Sequence, residues 1–241
     1  FAWQGISYGI ESAKKGHPTI MIPGQYTYFD MAQSETERGH RWAAIIDTER
    51  VYSFEPVPEN DLSLDEQKLI KGVQGALWSE YLDLPTRFME YQSYPRITAL
   101  SEIAWSKKEG KNWADFYARL TNSHLQRLAN MGVAFRDFPP TAIYESGSIT
   151  VTPPYDGAVV RYDSQGNEPT RESPLYLNPI QTKNYEKYMF RTFFNETAAS
   201  PAVKVEKMPV ANWSTSKIET LNISENISEN IDKNGIWYLT F

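Results

Sequence analysis

The sequence predicts an α/β region followed by an all-β region, and three observations carry that reading. Short apolar runs end twice in loops rich in aromatic and acidic residues, at 19–30 (TIMIPGQYTYFD) and 72–80 (GVQGALWSE). Residues 97–108 and 113–131 space their apolar side chains as one-faced helices do. Beyond Pro139-Pro140 helical periodicity stops, and short β-type runs alternate with turn residues.

Taken in order, residues 9–15 read as a short helix stopped by Gly16. Residues 19–22 are the first clear strand, because an apolar run of that length fits a fully buried one. After Pro23-Gly24 the chain presents Tyr26, Tyr28 and Asp30. In an α/β barrel the loop past such a strand is where active sites are built. Aromatic rings beside a carboxylate suit a sugar, which offers apolar C–H faces and hydroxyls together. Residues 65–71 predict a helical turn before a second strand at 73–77, whose following loop carries Trp78 and Glu80. Ile97, Leu100, Ile103 and Ala104 mark one face of the next helix. Trp113, Phe116, Leu120, Leu125 and Leu128 mark the face of its successor, closed by Gly132. Trp105 and Trp113 read as core or helix-packing residues, and Arg96 as a structural ion-pair partner.

Runs at 148–152, 158–162, 187–194 and 202–205, with turns at Gly157, Gly166-Asn167 and Ser173-Pro174, predict a small immunoglobulin-like β-sandwich. The expected division is 1–138 for the α/β part and 139–207 for the sandwich. Residues 208–241 are a tail compatible with the start of a further β domain. That tail holds a direct repeat, Asn222-Ile223-Ser224-Glu225 then Asn226-Ile227-Ser228-Glu229, and ends in a strand-like run at 235–241. A complete (β/α)8 barrel takes about 250 residues. Residues 1–138 supply two clear strands and a third ending before Trp3. The expectation is therefore the C-terminal part of such a barrel, with the remainder before Phe1.

The 241 residues carry a formal net charge of -6 and no cysteine. The charge leaves no basic footprint for nucleic acid, and the missing thiols exclude disulfides and thiolate metal sites. No run of 18 apolar residues suggests a membrane span. His17, His40 and His124 are scattered without metal-ligand spacing, so neither a metal nor a cofactor is expected.

Trp3-Gln4-Gly5, GHPTIM at 16–21, YFDMAQ at 28–33, GVQGALWSE at 72–80 and YPRITALSEIAWS at 94–106 occur in that order. Together they resemble the C-terminal third of the catalytic barrel of family 20 glycoside hydrolases, the β-N-acetylhexosaminidases. Residues 149–176 resemble the small C-terminal domain of the chitobiase-type members. The resemblance implies an exo-acting, retaining enzyme in which the acetamido oxygen of the substrate attacks its own anomeric carbon, an exception to the two-carboxylate scheme. It implies that Tyr28 donates to that acetamido oxygen and steadies the oxazolinium, that Asp30 and Glu80 accept from sugar hydroxyls, and that Trp78 stacks under the pyranose. Trp3 and Trp42 would be the other walls of the aromatic box. The family's Asp-Glu pair, which protonates the leaving oxygen, would lie upstream. Asp65-Glu66 reads instead as a solvated helix start, so the chain alone is expected to be inactive. The implied partners are N-acetylhexosamine-terminated oligosaccharides and the protein's own N-terminal half, and the implied location is periplasmic or extracellular. The four glycosylation sequons, from Asn195 to Asn226, are expected to be unmodified. A second reading stays open, a non-catalytic carbohydrate-binding or interaction protein derived from that family.

Overall fold

The computed structural model describes residues 1–78, 85–196 and 198–208; Glu80 and the tail from 209 lie outside them. Parallel pairing begins where the first apolar run does. Strand β1 (Thr19–Met21) pairs in parallel with β2 (Ile70–Val73), placing Ile20 opposite Gly72 and Met21 opposite Val73. On the other edge of β1, Ala2 bridges Met21 in the same sense, so the third expected strand is present as a single bridge. Strand β2 spans 70–73 rather than the expected 73–77, because its ladder with β1 opens at the Thr19–Ile70 pair and closes at Val73, and the helical turn expected over 65–71 is correspondingly shorter. Beyond it the chain makes one further parallel bridge, Ala76 with Tyr28.

Helices flank these strands. They are α1 (Ile6–Lys14), a single turn α2 (Gly24–Thr27), α3 (Thr48–Ser53), α4 (Leu64–Gln67), α5 (Thr86–Ser93) and α6 (Arg96–Trp105). The sequence pattern did not mark α2, α3 or α5. The segment 113–131 runs as α7 (Trp113–Arg119), a π-helical stretch Leu120–His124 and α8 (Leu125–Asn130). The wide turn has a packing reason. At roughly 3.6 residues per turn, five residues would carry Leu125 far around the helix from Leu120. The i→i+5 turn brings both onto the buried face, with Phe116 and Leu128.

Arg96 is fully buried and binds the loop that follows β1. Its Nη1 donates to the carbonyls of Met31 at 3.1 Å and Ile46 at 2.8 Å, and its Nη2 to that of Phe29 at 2.5 Å. Nε and Nη2 both donate to the Gln92 carbonyl. The guanidinium also lies 5.1 Å from the Phe29 ring centroid. The expected ion pair is thus replaced by a set of main-chain acceptors, because the tightly folded loop leaves its carbonyls without strand partners. Burial, with the nearby Arg136 charge adding to it, lowers the Arg96 pKa to about 9, which still leaves it charged at neutral pH. Trp105 departs from the core reading. It ends α6 two residues past the buried Ile103, so it faces the opposite side and is 91% exposed.

Residues 1–208 form one compact unit. Its β part opens with the hairpin β3 (Thr141–Glu145) and β4 (Ser148–Thr152), joined by Ser146-Gly147 with φ 50 and 88°. Two successive positive φ values give the primed turn that matches strand twist. With β6 (Ile180–Gln181) and β9 (Glu206–Lys207) the hairpin forms a sheet of order β6-β4-β3-β9. Strands β5 (Val159–Asp163), β7 (Met189–Phe193) and β8 (Val203–Lys204) form a second. Ala142, Ile149 and Val151 from the first sheet meet Val160 and Phe190 from the second in one buried cluster.

Between the α/β and β parts lies Asp137, fully buried. Its Oδ1 accepts from the Tyr155 hydroxyl at 2.7 Å and from the Phe138 amide at 2.8 Å. Burial outweighs these bonds and raises its pKa to about 6.

Two outcomes are expected. Arg96→Met strands several buried carbonyls, each worth about 1–3 kcal/mol, so urea unfolding should show a loss of roughly 3 kcal/mol or more. For Asp137 the folded state binds its proton more tightly than the unfolded chain, whose reference pKa is about 3.9. The side chain's contribution is therefore full below about pH 4 and is lost as pH rises to about 6. Asp137→Asn should gain on the wild type by roughly 3 kcal/mol between pH 4 and 7.5, read from paired unfolding curves.

Candidate active site

The two loops that leave the C-terminal ends of β1 and β2 stay tied together. Phe29 N donates to Ala76 O at 2.6 Å, and Ala76 N to Thr27 O at 2.9 Å. Gly75 makes this approach possible. A Cβ there would sit 2.9 Å from both Leu100 Cδ2 and Phe29 Cε2. Gly24 N donates to Trp3 O at 2.9 Å, which draws the first strand into the same corner.

A second loop closes the corner from the side. Ala32 N donates to His40 O at 2.7 Å and His40 N to Asp30 O at 2.9 Å, so residues 30–32 and 40 run alongside one another. Gly39 permits it, with φ 149° and the site of a Cβ only 2.4 Å from the Ala32 backbone nitrogen. Trp42 follows directly from this turn.

These constraints shape a cleft of about 770 Å³, whose lining includes Trp3, Tyr28, Asp30, Trp42 and Trp78. Five of the six residues singled out in the sequence thus share one cavity, and Glu80 lies outside the described residues. Tyr28 and Asp30 form its floor, exposed by only 3% and 1%. Trp3, Trp42 and Trp78 form its walls and remain about half exposed or more. The Tyr28 ring meets Trp42 edge-on at 5.9 Å, with 81° between planes, and Trp78 at 5.8 Å and 61°. Edge-to-face contact fixes the indoles against the phenol while leaving their faces bare.

The electrostatics favour a neutral donor at the floor. Burial raises the Tyr28 pKa above the usual phenol value. The Trp78 indole acts on the phenol oxygen in the opposing direction, and the Asp30 carboxylate adds to the rise. Tyr28 therefore keeps its proton at neutral pH. An indole N–H is a donor only, so the Trp78 contact does not use the Tyr28 hydrogen. Asp65-Glu66 is elsewhere, in an exposed capping box at α4, where Ser63 and Glu66 satisfy each other's backbone amides. Among the described residues no cluster of three or more His, Asp or Glu side chains is placed to hold a metal ion. No helix among them is long and apolar enough to cross a membrane.

Sequence reasoning missed Gln74, Phe1 and Ile22 as lining residues. Gln74 stands at the end of β2, and the rule that strand ends face the site would have found it. It also missed the part that Arg96 plays in holding the floor.

Parallel strands flanked by helices, with the cleft at the strand ends, make this an α/β domain, and its likeness to a solved family 20 structure makes it one of TIM-barrel type. Residues 1–108 match "Glycosyl hydrolase family 20, catalytic domain", so this segment is similar to the catalytic domain of that family. It is 30% identical over 221 residues to a β-hexosaminidase of Porphyromonas gingivalis, covering 86% of this chain and 28% of that protein. It is 27% identical over 207 residues to the N,N'-diacetylchitobiase of Vibrio harveyi, covering 68% and 23%. The crystal structure of a family 20 exo-β-N-acetylglucosaminidase from V. harveyi, in complex with N-acetylglucosamine, superposes with a TM-score of 0.52 at 34% identity. That match covers 56% of this chain and 21% of the other. The chain thus spans about a quarter of the length of these relatives.

Gly39→Ala tests the geometry of the side loop. Its Cβ would press on backbone rather than on a movable side chain, and overpacking costs typically about 1–3 kcal/mol. The variant should lose at least that much stability in urea, and near-ultraviolet circular dichroism should lose the coupled Tyr28–Trp42 signal.

Proposed function

We propose that this chain supplies the sugar-binding side of the active site of an exo-acting, retaining β-N-acetylhexosaminidase. The observation that carries this reading is the grouping of three part-exposed indoles around a buried, protonated Tyr28 and a buried Asp30. The V. harveyi structure bound to N-acetylglucosamine supports the choice of sugar. The 2-acetamido group sits among Trp3, Trp42 and Trp78, with the pyranose ring on the Trp78 face. Tyr28 donates to the acetamido oxygen as that oxygen attacks the anomeric carbon, and so stabilises the oxazolinium. Asp30 accepts from a hydroxyl, and Glu80 takes the same role from the segment after Trp78.

Asp30 is the one acid among the described residues of the lining. In this reading it binds, and the proton for the leaving oxygen comes from an Asp-Glu pair in a part of the full-length protein upstream of Phe1. Residues 139–207 act as a β-sandwich that buttresses the barrel part. Substrates of this kind, the chain ends of chitin oligomers and glycans, place the protein in the periplasm or outside the cell. A second reading, a carbohydrate-binding protein without hydrolytic activity, is supported by Asp30 being the one acid among the described residues of the lining.

Titration of the 241-residue chain with N-acetylglucosamine, followed by tryptophan fluorescence, tests the proposal. Saturable quenching is expected. Tyr28→Phe should weaken it by about 2- to 12-fold, the equivalent of one hydrogen bond of about 0.5–1.5 kcal/mol. Trp78→Ala should weaken it further. An unresponsive wild type would remove the sugar-site reading. Hydrolysis of a chromogenic N-acetylglucosaminide by this chain alone would show that the acid lies within it. A full-length protein that binds but does not hydrolyse would establish the second reading.

A further inference from the structure

We infer that Glu37, clamped by Arg136 and Tyr91, is a positioning residue for Trp42 and holds that wall of the cleft from behind. The inference rests on the sugar-site reading only for what Trp42 touches.

Glu37 lies in the loop between Asp30 and Trp42, yet its side chain is only 8% exposed and that of Arg136 only 6%. Arg136 grips it with two parallel bonds, Nε to Oε1 at 2.8 Å and Nη2 to Oε2 at 2.9 Å. The Tyr91 hydroxyl donates to Oε1 at 2.6 Å. Burial alone would raise the Glu37 pKa, but the Arg136 bond and charge, with Tyr91, outweigh it and bring the value below the usual carboxylate range. Both donors stand on fixed backbone. Arg136 N donates to Tyr94 O at 3.0 Å, residue 136 bridges Ala199, and Tyr91 belongs to α5.

The loop passes this fixity on to Trp42. Arg41 folds back over it, donating to the carbonyls of Gly39 at 3.2 Å, Glu35 at 3.0 Å and Glu37 at 2.5 Å. The clamped carboxylate, the residue gripping its carbonyl and the indole are thus contiguous. Trp42 itself is 64% exposed and meets Tyr28 along one edge only, so the rest of its placement falls to the loop that carries it. Buried ion pairs contribute little net stability compared with apolar replacements. The yield of this one is geometric, a fixed direction for one indole.

The test combines Glu37→Gln with a double-mutant cycle on the 241-residue chain. Hydrogen exchange should quicken at least tenfold in peptides covering 31–46, and less than twofold in those covering 1–22. Affinity for N-acetylglucosamine should fall five- to tenfold in the wild-type and Trp78→Ala backgrounds, and less than twofold in Trp42→Ala. Such coupling to one indole separates positioning from general destabilisation. Arg136→Lys, which keeps the charge and loses the fork, should give the same pattern at smaller amplitude. It carries the test if Glu37→Gln lacks a cooperative unfolding transition. Uniform quickening of exchange, or an affinity loss that is equally large without Trp42, would overturn the inference. If the wild type binds no N-acetylglucosamine, the proposed function fails, while the exchange pattern still decides whether Glu37 holds the loop.

Discussion

The structure around the cleft depends on one buried cation, Arg96, whose hydrogen bonds among the described residues go to carbonyl oxygens rather than to an acid. Arg96 spends its donors on the carbonyls of Phe29, Met31, Ile46 and Gln92. The strand-end loop that carries Tyr28 and Asp30 turns too sharply to pair its carbonyls within a sheet. Left without donors, each would carry the desolvation penalty of a buried polar group. A planar guanidinium with five N–H donors answers several such groups from one point, which a lysine ammonium cannot do with the same geometry. Because Arg96 opens α6, the helix and the floor of the cleft are set by a single side chain.

The same economy recurs on a second scale. Glu37 and Arg136 form a buried, bidentate pair, and Asp137, the next residue, is buried with its acceptors filled on one oxygen. Consecutive charged residues therefore face opposite tasks. Arg136 reaches back into the α/β part, and Asp137 binds Tyr155 and Phe138, at the point where the β part begins. The short stretch between Ala134 and Phe138 joins the loops of the cleft to the two small sheets.

Much of this was legible in the sequence, for physical reasons that can be named. Thr19 to Met21 read as a strand because burial on both faces requires an unbroken apolar run. Tyr28, Asp30, Trp42 and Trp78 could be picked out because the ordered motifs resembled a known family; composition alone would not have separated them from core aromatics. Trp105 shows the failure of that separation, since nothing in its type told that it faced solvent. Strand β3 was missed although Ser146-Gly147 is a turn signal between alternating Ala142, Tyr144, Ile149 and Val151. The roles of Arg96 and Glu37 were not legible. Apart from Gln92, one turn before Arg96, their partners lie about 50 to 100 positions away in the chain, and no local periodicity records such a pairing.

The cleft divides its labour between a floor with almost no solvent contact and walls that keep about half their surface in water. Substitutions at buried, tightly packed positions usually cost far more than those at exposed ones. Wall and floor therefore sit on different slopes of the same fitness landscape. Exchanges at the part-exposed Trp3, Trp42 and Trp78 are expected to cost less stability than exchanges at the buried Tyr28 and Asp30. A scaffold of this kind can change the rings that face its cleft while its fold stays fixed.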